Sequence, residues 1–588
     1  MTNKTIQQTR RKALTLALLL CAAGGAQAQT NAAGAVTGRA TSGDTITISN
    51  PATGFSRTIT AGADGGYRFS QLPTGQYQIS RNGAAPRNVT VNVGSAATVD
   101  FASGDATTLD TVTVVGTGAI NPIDVSSVES TTILTAEQIN KIPVSRDTTS
   151  VALLAPGTVR GDAAFGNLAS FGGASVAENQ YYVNGFNITN TFNNLNFGQI
   201  PFEAIAEQQT KTGGYGAEFG RSLGGVVNQI TKRGTNEFHA GGNVFWLPDS
   251  LRSEAKPLYY SNPLTSEYGD QFSDSSHDST DQWRANLWAS GALIKDRLFA
   301  YGLISYQRQD NDVFPSLEAG STTSSRQKAP QWVLKLDWNI SDNHILEFTG
   351  FSDKNTTYTE LYDNPTGTFE RTNYHGQTVN EQGGKNYVLK YTGYLSDSFT
   401  LSVLGGRSEF SRATWMIQPD GTRTGYDGSF TVPTPGVAPN TGCSVILDSR
   451  SNFQKNLRGV YSGCAVSNGF VNASNSEDVR RQYRIDAEWQ LGDHLVRFGY
   501  DRDDYQSQAG GAFEGGYRWQ YLTSSNGTPN NEADDFEVAR LRYVSQGAAV
   551  KVKQHAFYIE DSWNITDNFI AYLGGRWDTF ENINGQGA

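Results

Sequence analysis

Gln482-Tyr483-Arg484-Ile485-Asp486-Ala487-Glu488-Trp489-Gln490-Leu491, followed by Gly492-Asp493-His494, alternates without a break. Successive side chains of an extended strand point to opposite sides, so Tyr483, Ile485, Ala487, Trp489 and Leu491 share one face. Gln482, Arg484, Asp486, Glu488 and Gln490 share the other. One face suits lipid and the other water. Gln331 to Ile340 repeats the pattern, with Trp332, Leu334, Leu336, Trp338 and Ile340 opposed to Gln331, Lys335, Asp337 and Asn339. A soluble sandwich also alternates, so the connections between strands decide.

At one end these connections are short and alike: Ile294-Lys295-Asp296-Arg297, Ile340-Ser341-Asp342-Asn343, Leu395-Ser396-Asp397-Ser398, Leu491-Gly492-Asp493-His494 and Ile565-Thr566-Asp567-Asn568. Asp at a tight turn bonds its own backbone and tolerates left-handed dihedrals, so these sites read as hairpin tips. At the other end the connections are long, polar and rich in Gly, Asn and Ser: Asp249 to Thr280, Asn311 to Ala329, Asn355 to Gly384, Ala413 to Val479 and Ala509 to Val550. A sandwich has connections of similar kind at both ends. Tight turns on one side and long loops on the other predict an antiparallel transmembrane β-barrel of the outer-membrane type. From His239 onward about eleven strands are expected, roughly half of a large barrel. The sequence then stops at Gly585-Gln586-Gly587-Ala588 without a final aromatic-ended strand. An open edge in lipid leaves unpaired backbone groups at several kcal/mol each, so a fragment or truncated gene is expected.

Composition agrees. The 588 residues include 63 Gly but 2 Met and 3 Cys, unlike a cytosolic enzyme, and 26 Tyr, 29 Phe and 10 Trp supply material for interfacial girdles. A net charge of -11 argues against a nucleic-acid partner, which demands a basic surface. Ala13 to Ala23 is apolar, preceded by Lys4, Arg10, Arg11 and Lys12 and followed by Ala26-Gln27-Ala28, the parts of a secretory signal peptide over residues 1–28. Cys21 lies within that run behind Leu18-Leu19-Leu20, without the small residue expected beside a lipidated cysteine. Cys443 and Cys464 lie in the longest loop; in an oxidising compartment they are expected to form a disulfide contributing about 3 kcal/mol to that loop's order.

The mature chain divides further. Residues 29–104 carry short strand candidates (Thr45–Ile48, Arg57–Thr60, Tyr77–Ile79, Val89–Val91) suited to a small β-sandwich. Asp64-Gly65-Gly66-Tyr67-Arg68-Phe69 and Leu72-Pro73-Thr74-Gly75-Gln76-Tyr77 in this segment resemble the carboxypeptidase-regulatory-like domain, with Asp64 as a turn former. Leu109-Asp110-Thr111-Val112-Thr113-Val114-Val115-Gly116, in a linker over 105–120, resembles a TonB box. An extended β-branched segment suits strand addition to a partner's sheet edge, so Asp110, Thr111, Val112, Thr113 and Val114 are the expected TonB contacts.

Over 121–235, Ile133-Leu134-Thr135-Ala136-Glu137-Gln138-Ile139, Tyr182-Val183-Asn184-Gly185-Phe186-Asn187 and Thr212-Gly213-Gly214-Tyr215-Gly216-Ala217-Glu218-Phe219-Gly220-Arg221 resemble the plug domain of TonB-dependent transporters, and their Oar-like branch most closely. Many of these families carry Asp where Asn184 stands. The resemblance implies a globular plug inside the barrel formed by 236–588, since a wide lumen needs filling. Glu218, Arg221 and Arg233 are the candidate plug–barrel contacts, the alternative being solvated or locally paired charges.

No catalytic, nucleotide or cofactor motif is present, and the 6 His lack metal-ligand spacing, so no enzyme is expected. The acidic clusters Asp270, Asp274, Asp278, Asp281 and Glu532, Asp534, Asp535, Glu537 read as solvated loops, with a cation site as the alternative. The expected function is TonB-driven import across the outer membrane, with the plug and sandwich on the periplasmic side. Large loops favour a bulky extracellular ligand such as an oligosaccharide or peptide. The alternative is a surface receptor or adhesion factor without transport.

Overall fold

The computed structural model describes residues 32–101 and 129–584 apart from 193–194, 196, 221, 254–255, 265–267, 315–320, 366–367, 427–444, 450–465, 468–469, 515–516, 525–526, 528–534, 544–545 and 567–568. The signal peptide, the Asp110 to Val114 segment, Arg221, Cys443 and Cys464 lie outside the described residues.

Short β-branched runs separated by turn residues fold first into seven strands: β1 (Gly34–Arg39), β2 (Thr45–Asn50), β3 (Phe55–Thr60), β4 (Gly66–Leu72), β5 (Gly75–Arg81), β6 (Arg87–Val91) and β7 (Ala96–Thr98). They form two sheets, ordered β4-β1-β7 and β3-β2-β5-β6, around Ile46, Ile48, Phe69, Leu72 and Ile79. Asp64 is a turn former, its Oδ1 accepting the Gly66 N–H at 3.0 Å. β4 departs from a free-standing sandwich, where one face meets solvent: every residue from Tyr67 to Leu72 is buried. Its second face is covered by the barrel.

The plug comprises β8 (Ser130–Thr135), β9 (Thr158–Arg160), β10 (Ala169–Phe171), β11 (Gln180–Val183), β12 (Phe186–Asn187), β13 (Ile205–Gly213) and β14 (Val226–Thr231), with helices α1 (Ala136–Lys141) and α2 (Thr148–Ala152). Thr135 and Gln138 cap α1 reciprocally, and the Asp147 carboxylate caps α2. Five strands make one sheet in the order β12-β11-β14-β13-β8. All six residues of β14 are buried, as expected of a sheet enclosed by a second structure.

Eleven strands then form a continuous antiparallel sheet: β15 (His239–Leu247), β16 (Ser279–Ile294), β17 (Leu298–Val313), β18 (Ser321–Ser341), β19 (His344–Ser352), β20 (Lys385–Tyr394), β21 (Phe399–Ser411), β22 (Glu477–Leu491), β23 (His494–Phe513), β24 (Gln546–Thr566) and β25 (Phe569–Ile583). Among the described residues β15 and β25 each pair on one side only. The expected turns join β16–β17, β18–β19, β20–β21, β22–β23 and β24–β25. Their chemistry differs from the expectation that Asp shapes each tip. Asp296 does take a left-handed φ of 61°, but at the fourth tip Gly492 does so instead, and at the second and third the hydroxyls of Ser341 and Ser396 accept the N–H groups of Asn343 and Ser398. In the fifth, Asp567 and Asn568 lie outside the described residues.

Two of the stretches expected as long loops, Asn311 to Ala329 and Asn355 to Gly384, are largely strand among the described residues, whereas Asp249 to Thr280 is mostly irregular. β17 and β18 remain paired from Leu298↔Trp338 out to Val313↔Thr323, and Asn355–Asp363 pairs with β18 and with Tyr374–Gln382. These Thr-, Ser-, Gln- and Tyr-rich segments are polar on both faces, which removes the alternation signal while leaving good strand propensity. β18 and β24 reach 21 residues each, whereas about 9–11 tilted residues cross a bilayer. The extra length stands outside the membrane. At the other border Trp338, Trp489 and Trp563 sit just before their turns and are 44%, 42% and 40% exposed, forming an aromatic girdle at the level of the tight turns.

Candidate functional site

Alternation in β22 turns Tyr483, Ile485 and Trp489 outward, while Gln482, Arg484 and Glu488 face the lumen and are buried. The lumen face is therefore not simply wetted. Plug and sandwich cover it, and each buried charge there needs a partner.

The plug meets the barrel first through a hairpin. Asn184 and Gly185, with φ of 49° and 84°, form the tip between β11 and β12; asparagine tolerates the left-handed region and glycine occupies it freely. The Asn184 amide donates to the hydroxyls of Thr231 in the plug and Thr349 in the barrel, both at 2.8 Å. Phe186, which follows, packs where β21 has Gly406: a Cβ there would lie 2.5 Å from the ring. Gly406→Val is expected to displace Phe186 and destabilise plug seating by about 1–3 kcal/mol, measured as faster amide exchange in β11 and β12. Farther out, Arg480 of β22 donates to the carbonyls of Asn187 (3.0 Å) and Thr189 (2.9 Å), and Gln482 accepts the Asn187 N–H at 3.0 Å. Asp478 accepts from the Asn190 amide at 3.0 Å, and Asp353 from the Gln199 N–H at 2.9 Å.

Two of the charged plug residues singled out in the sequence lie in separate buried clusters. Glu218 meets Arg484 of β22 at 2.6 Å and Arg497 of β23 at 3.1 Å. Arg497 also meets Glu560 of β24 at 2.7 Å, Arg484 meets Asp486 at 2.8 Å, and Glu560 accepts the Ala217 N–H at 2.9 Å and the Tyr572 hydroxyl. Burial pushes the Glu218 carboxyl up, but the Arg497 and Arg484 guanidiniums outweigh it and hold it below the usual carboxylate range. Arg233 meets Asp337 of β18 at 2.6 Å and Glu347 of β19 at 3.1 Å, with Lys335 at 3.0 Å and Lys390 at 3.7 Å from Glu347.

The sandwich seats in the mouth of the barrel at the turn side. Arg57 donates to the Ser396 carbonyl at 2.9 Å and lies 4.3 Å over the Tyr394 ring, whose hydroxyl donates to the Gln71 carbonyl at 3.0 Å. Asp397 accepts the Thr60 N–H at 3.3 Å, and the Asn236 N–H donates to the Ala52 carbonyl at 2.7 Å. Arg68 pairs with Glu488 at 3.2 Å, where Ser70 also donates. Against the plug, Val93 of the sandwich joins Ile133 and Ile230 in an apolar cluster, and its N–H donates to Glu207 of β13 at 2.8 Å. Burial raises the Glu207 carboxyl to about 7, against the opposing effect of that hydrogen bond.

Sequence reasoning missed the barrel partners Arg484, Arg497, Glu560, Asp337 and Glu347, and every sandwich contact. A signal was present: Arg480, Arg484, Asp486 and Glu488 all fall on the same face of one strand. In the first acidic cluster, the Asp278 carboxylate accepts the Phe314 N–H at 2.8 Å and Asp281 the Asp249 N–H at 3.2 Å; Glu532 and Asp534 of the second lie outside the described residues. No grouping of three or more metal-ligating side chains occurs among the described residues.

Three family models match: the carboxypeptidase regulatory-like domain over residues 33–103, the TonB-dependent receptor plug domain over 124–226 and an outer membrane beta barrel domain over 309–587. Over 92% of its length the chain is 24% identical to the TonB-dependent transporter Oar of Myxococcus xanthus, covering 56% of that protein. It is 22% identical to the ferrienterobactin receptor of Escherichia coli K12 over 50% of its own length and 40% of that protein. Among solved structures, the outer membrane transporter YddB from Escherichia coli aligns at 13% identity with a TM-score of 0.47, over 77% of this chain and 57% of that one. The chain spans about half the length of the curated relatives it matches.

Proposed function

We propose that this chain, a TonB-dependent outer-membrane receptor of the Oar-like kind by its three matched domains, imports an extracellular ligand through displacement of its plug. The observation that carries the reading is how the plug is held. Its charged groups are seated by ion pairs and hydrogen bonds to the barrel wall, among them Glu218 with Arg484 and Arg497, and Arg233 with Asp337 and Glu347. Desolvation offsets most of the attraction in a buried pair, so such a plug is specific in position yet displaceable by a pull.

In this reading the pull comes through Asp110, Thr111, Val112, Thr113 and Val114, which add as a strand to TonB. The inner-membrane proton gradient supplies the energy, and no catalytic step is involved. The ligand binds the extended hairpins and plug apex and is a bulky organic molecule such as an oligosaccharide or peptide; the height of the polar strands beyond the bilayer supports this class.

Val112→Pro tests the coupling. Proline removes the backbone donor and fixes φ, so strand addition fails. Uptake of labelled medium fractions is expected to fall at least tenfold while surface binding of the same fractions stays at wild-type level. Unchanged uptake would sink the proposal, and binding without uptake in the wild-type protein would move the reading to a surface receptor or adhesion factor.

A further inference from the structure

We infer that Glu488 and Arg497 are positioning residues that couple the seating of the sandwich to the seating of the plug. The inference rests on the contacts of the three domains and does not depend on the transport reading. Glu488 of β22 and Arg497 of β23 are direct cross-strand partners, and Arg497 is in turn the direct partner of Glu560 of β24. Side chains at such positions lie on the same face with Cβ atoms about 4.5–5.5 Å apart. All three are buried in the lumen.

The row serves two masters. Glu488 is engaged from below by the sandwich, through Arg68 at 3.2 Å, the Ser70 hydroxyl and the Gln71 amide at 3.4 Å. Arg497, beside it, holds the plug through Glu218 at 3.1 Å and shares Glu560 with the plug backbone at Ala217. While Arg68 is in place, Glu488 has its cation. When the sandwich leaves, Glu488 loses that cation, and the guanidinium directly opposite it across the strands is that of Arg497. Turning toward Glu488, Arg497 relaxes its hold on Glu218. Undocking the sandwich thus loosens the plug, and by reciprocity displacing the plug frees Arg497 to draw Glu488 away from Arg68 and loosens the sandwich.

Charge variants distinguish this from ordinary local destabilisation, with amide exchange followed at one pH in the full protein reconstituted in outer-membrane lipid. Arg68→Gln leaves Glu488 bare, so exchange is expected to quicken about tenfold both in β4 and in the plug segment 214–220. Glu488→Gln removes the competing carboxylate, so β4 quickens but the plug segment stays at wild-type rate. The double variant Arg68→Gln/Glu488→Gln should behave as Glu488→Gln, and Arg68→Lys, which keeps the charge, should leave the plug unchanged. If Arg68→Gln fails to assemble while the double variant assembles, the bare carboxylate is the cause and the coupling stands. Plug exchange that is unchanged in Arg68→Gln, or raised equally in Glu488→Gln, overturns it, as does failure of Arg68→Gln and the double variant to assemble when Arg68→Lys assembles.

Discussion

Arg497→Met should unseat the plug. The arginine is 2% exposed in total and sits between two carboxylates, Glu218 of the plug and Glu560 of the wall. Methionine retains much of the apolar stem but no charge. Glu218 then keeps Arg484, while Glu560 keeps only the Tyr572 hydroxyl and the Ala217 N–H among the bonds described above. Breaking a buried pair by removing one partner destabilises by about 3–5 kcal/mol because the remaining charge is uncompensated. Glu218→Gln provides the contrast: Arg497 keeps Glu560 and Arg484 keeps Asp486, so a smaller loss of roughly 1–3 kcal/mol is expected. Planar-bilayer conductance and sensitivity of cells to a bulky hydrophilic antibiotic report the result. Arg497→Met should be open and leaky, and Glu218→Gln close to wild type. Equal behaviour of the two would show that charge balance in this cluster does not govern plug seating.

The barrel was legible because its physics is local. A strand with lipid on one face must alternate, and a hairpin tip needs turn residues, so β18, β22 and the five turns could be placed from residue types alone. The outward strand extensions were not legible, because Thr, Ser and Gln on both faces of Asn355–Asp363 carry propensity without periodicity. The site was half legible. Glu218 and Arg233 followed from the resemblance to a plug, but their partners lie 104, 114 and 266 residues away in sequence, and nothing in a single chain's order links them. Least legible was the seat of the sandwich. Arginines are mostly exposed in small domains, and the burial of Arg57, Arg68 and both sides of β4 reveals a second surface pressed against them. The resemblance that pointed to the plug was similarly silent about what lies beneath it.

That seat should also depend on pH through Glu207. Its carboxyl lies at about 7 in the docked state because burial disfavours the ionised form, against an ordinary value of 4.5. Once the sandwich is withdrawn, water reaches Glu207 beside the dispersed Val93, Ile133 and Ile230 cluster, and the ordinary value returns. For an acid whose pKa is higher in the docked state, docking is strongest below about pH 4.5. It weakens steadily as the pH rises, because the undocked form sheds its proton first, and the loss is complete by about pH 7, above which both forms are ionised. The full span corresponds to on the order of 3 kcal/mol. Glu207→Gln cannot ionise, and an amide there still accepts the Val93 N–H, so the variant should dock with nearly the same strength at both ends of the range. Pulse proteolysis of the sandwich in urea at pH 5 and pH 7.5 measures this directly. The wild-type midpoint should be lower at the higher pH and the Glu207→Gln midpoint should not move; a wild-type midpoint that rises with pH would mean that Glu207 stays ionised when docked, and that the sandwich holds the plug through a charged contact instead of a neutral one.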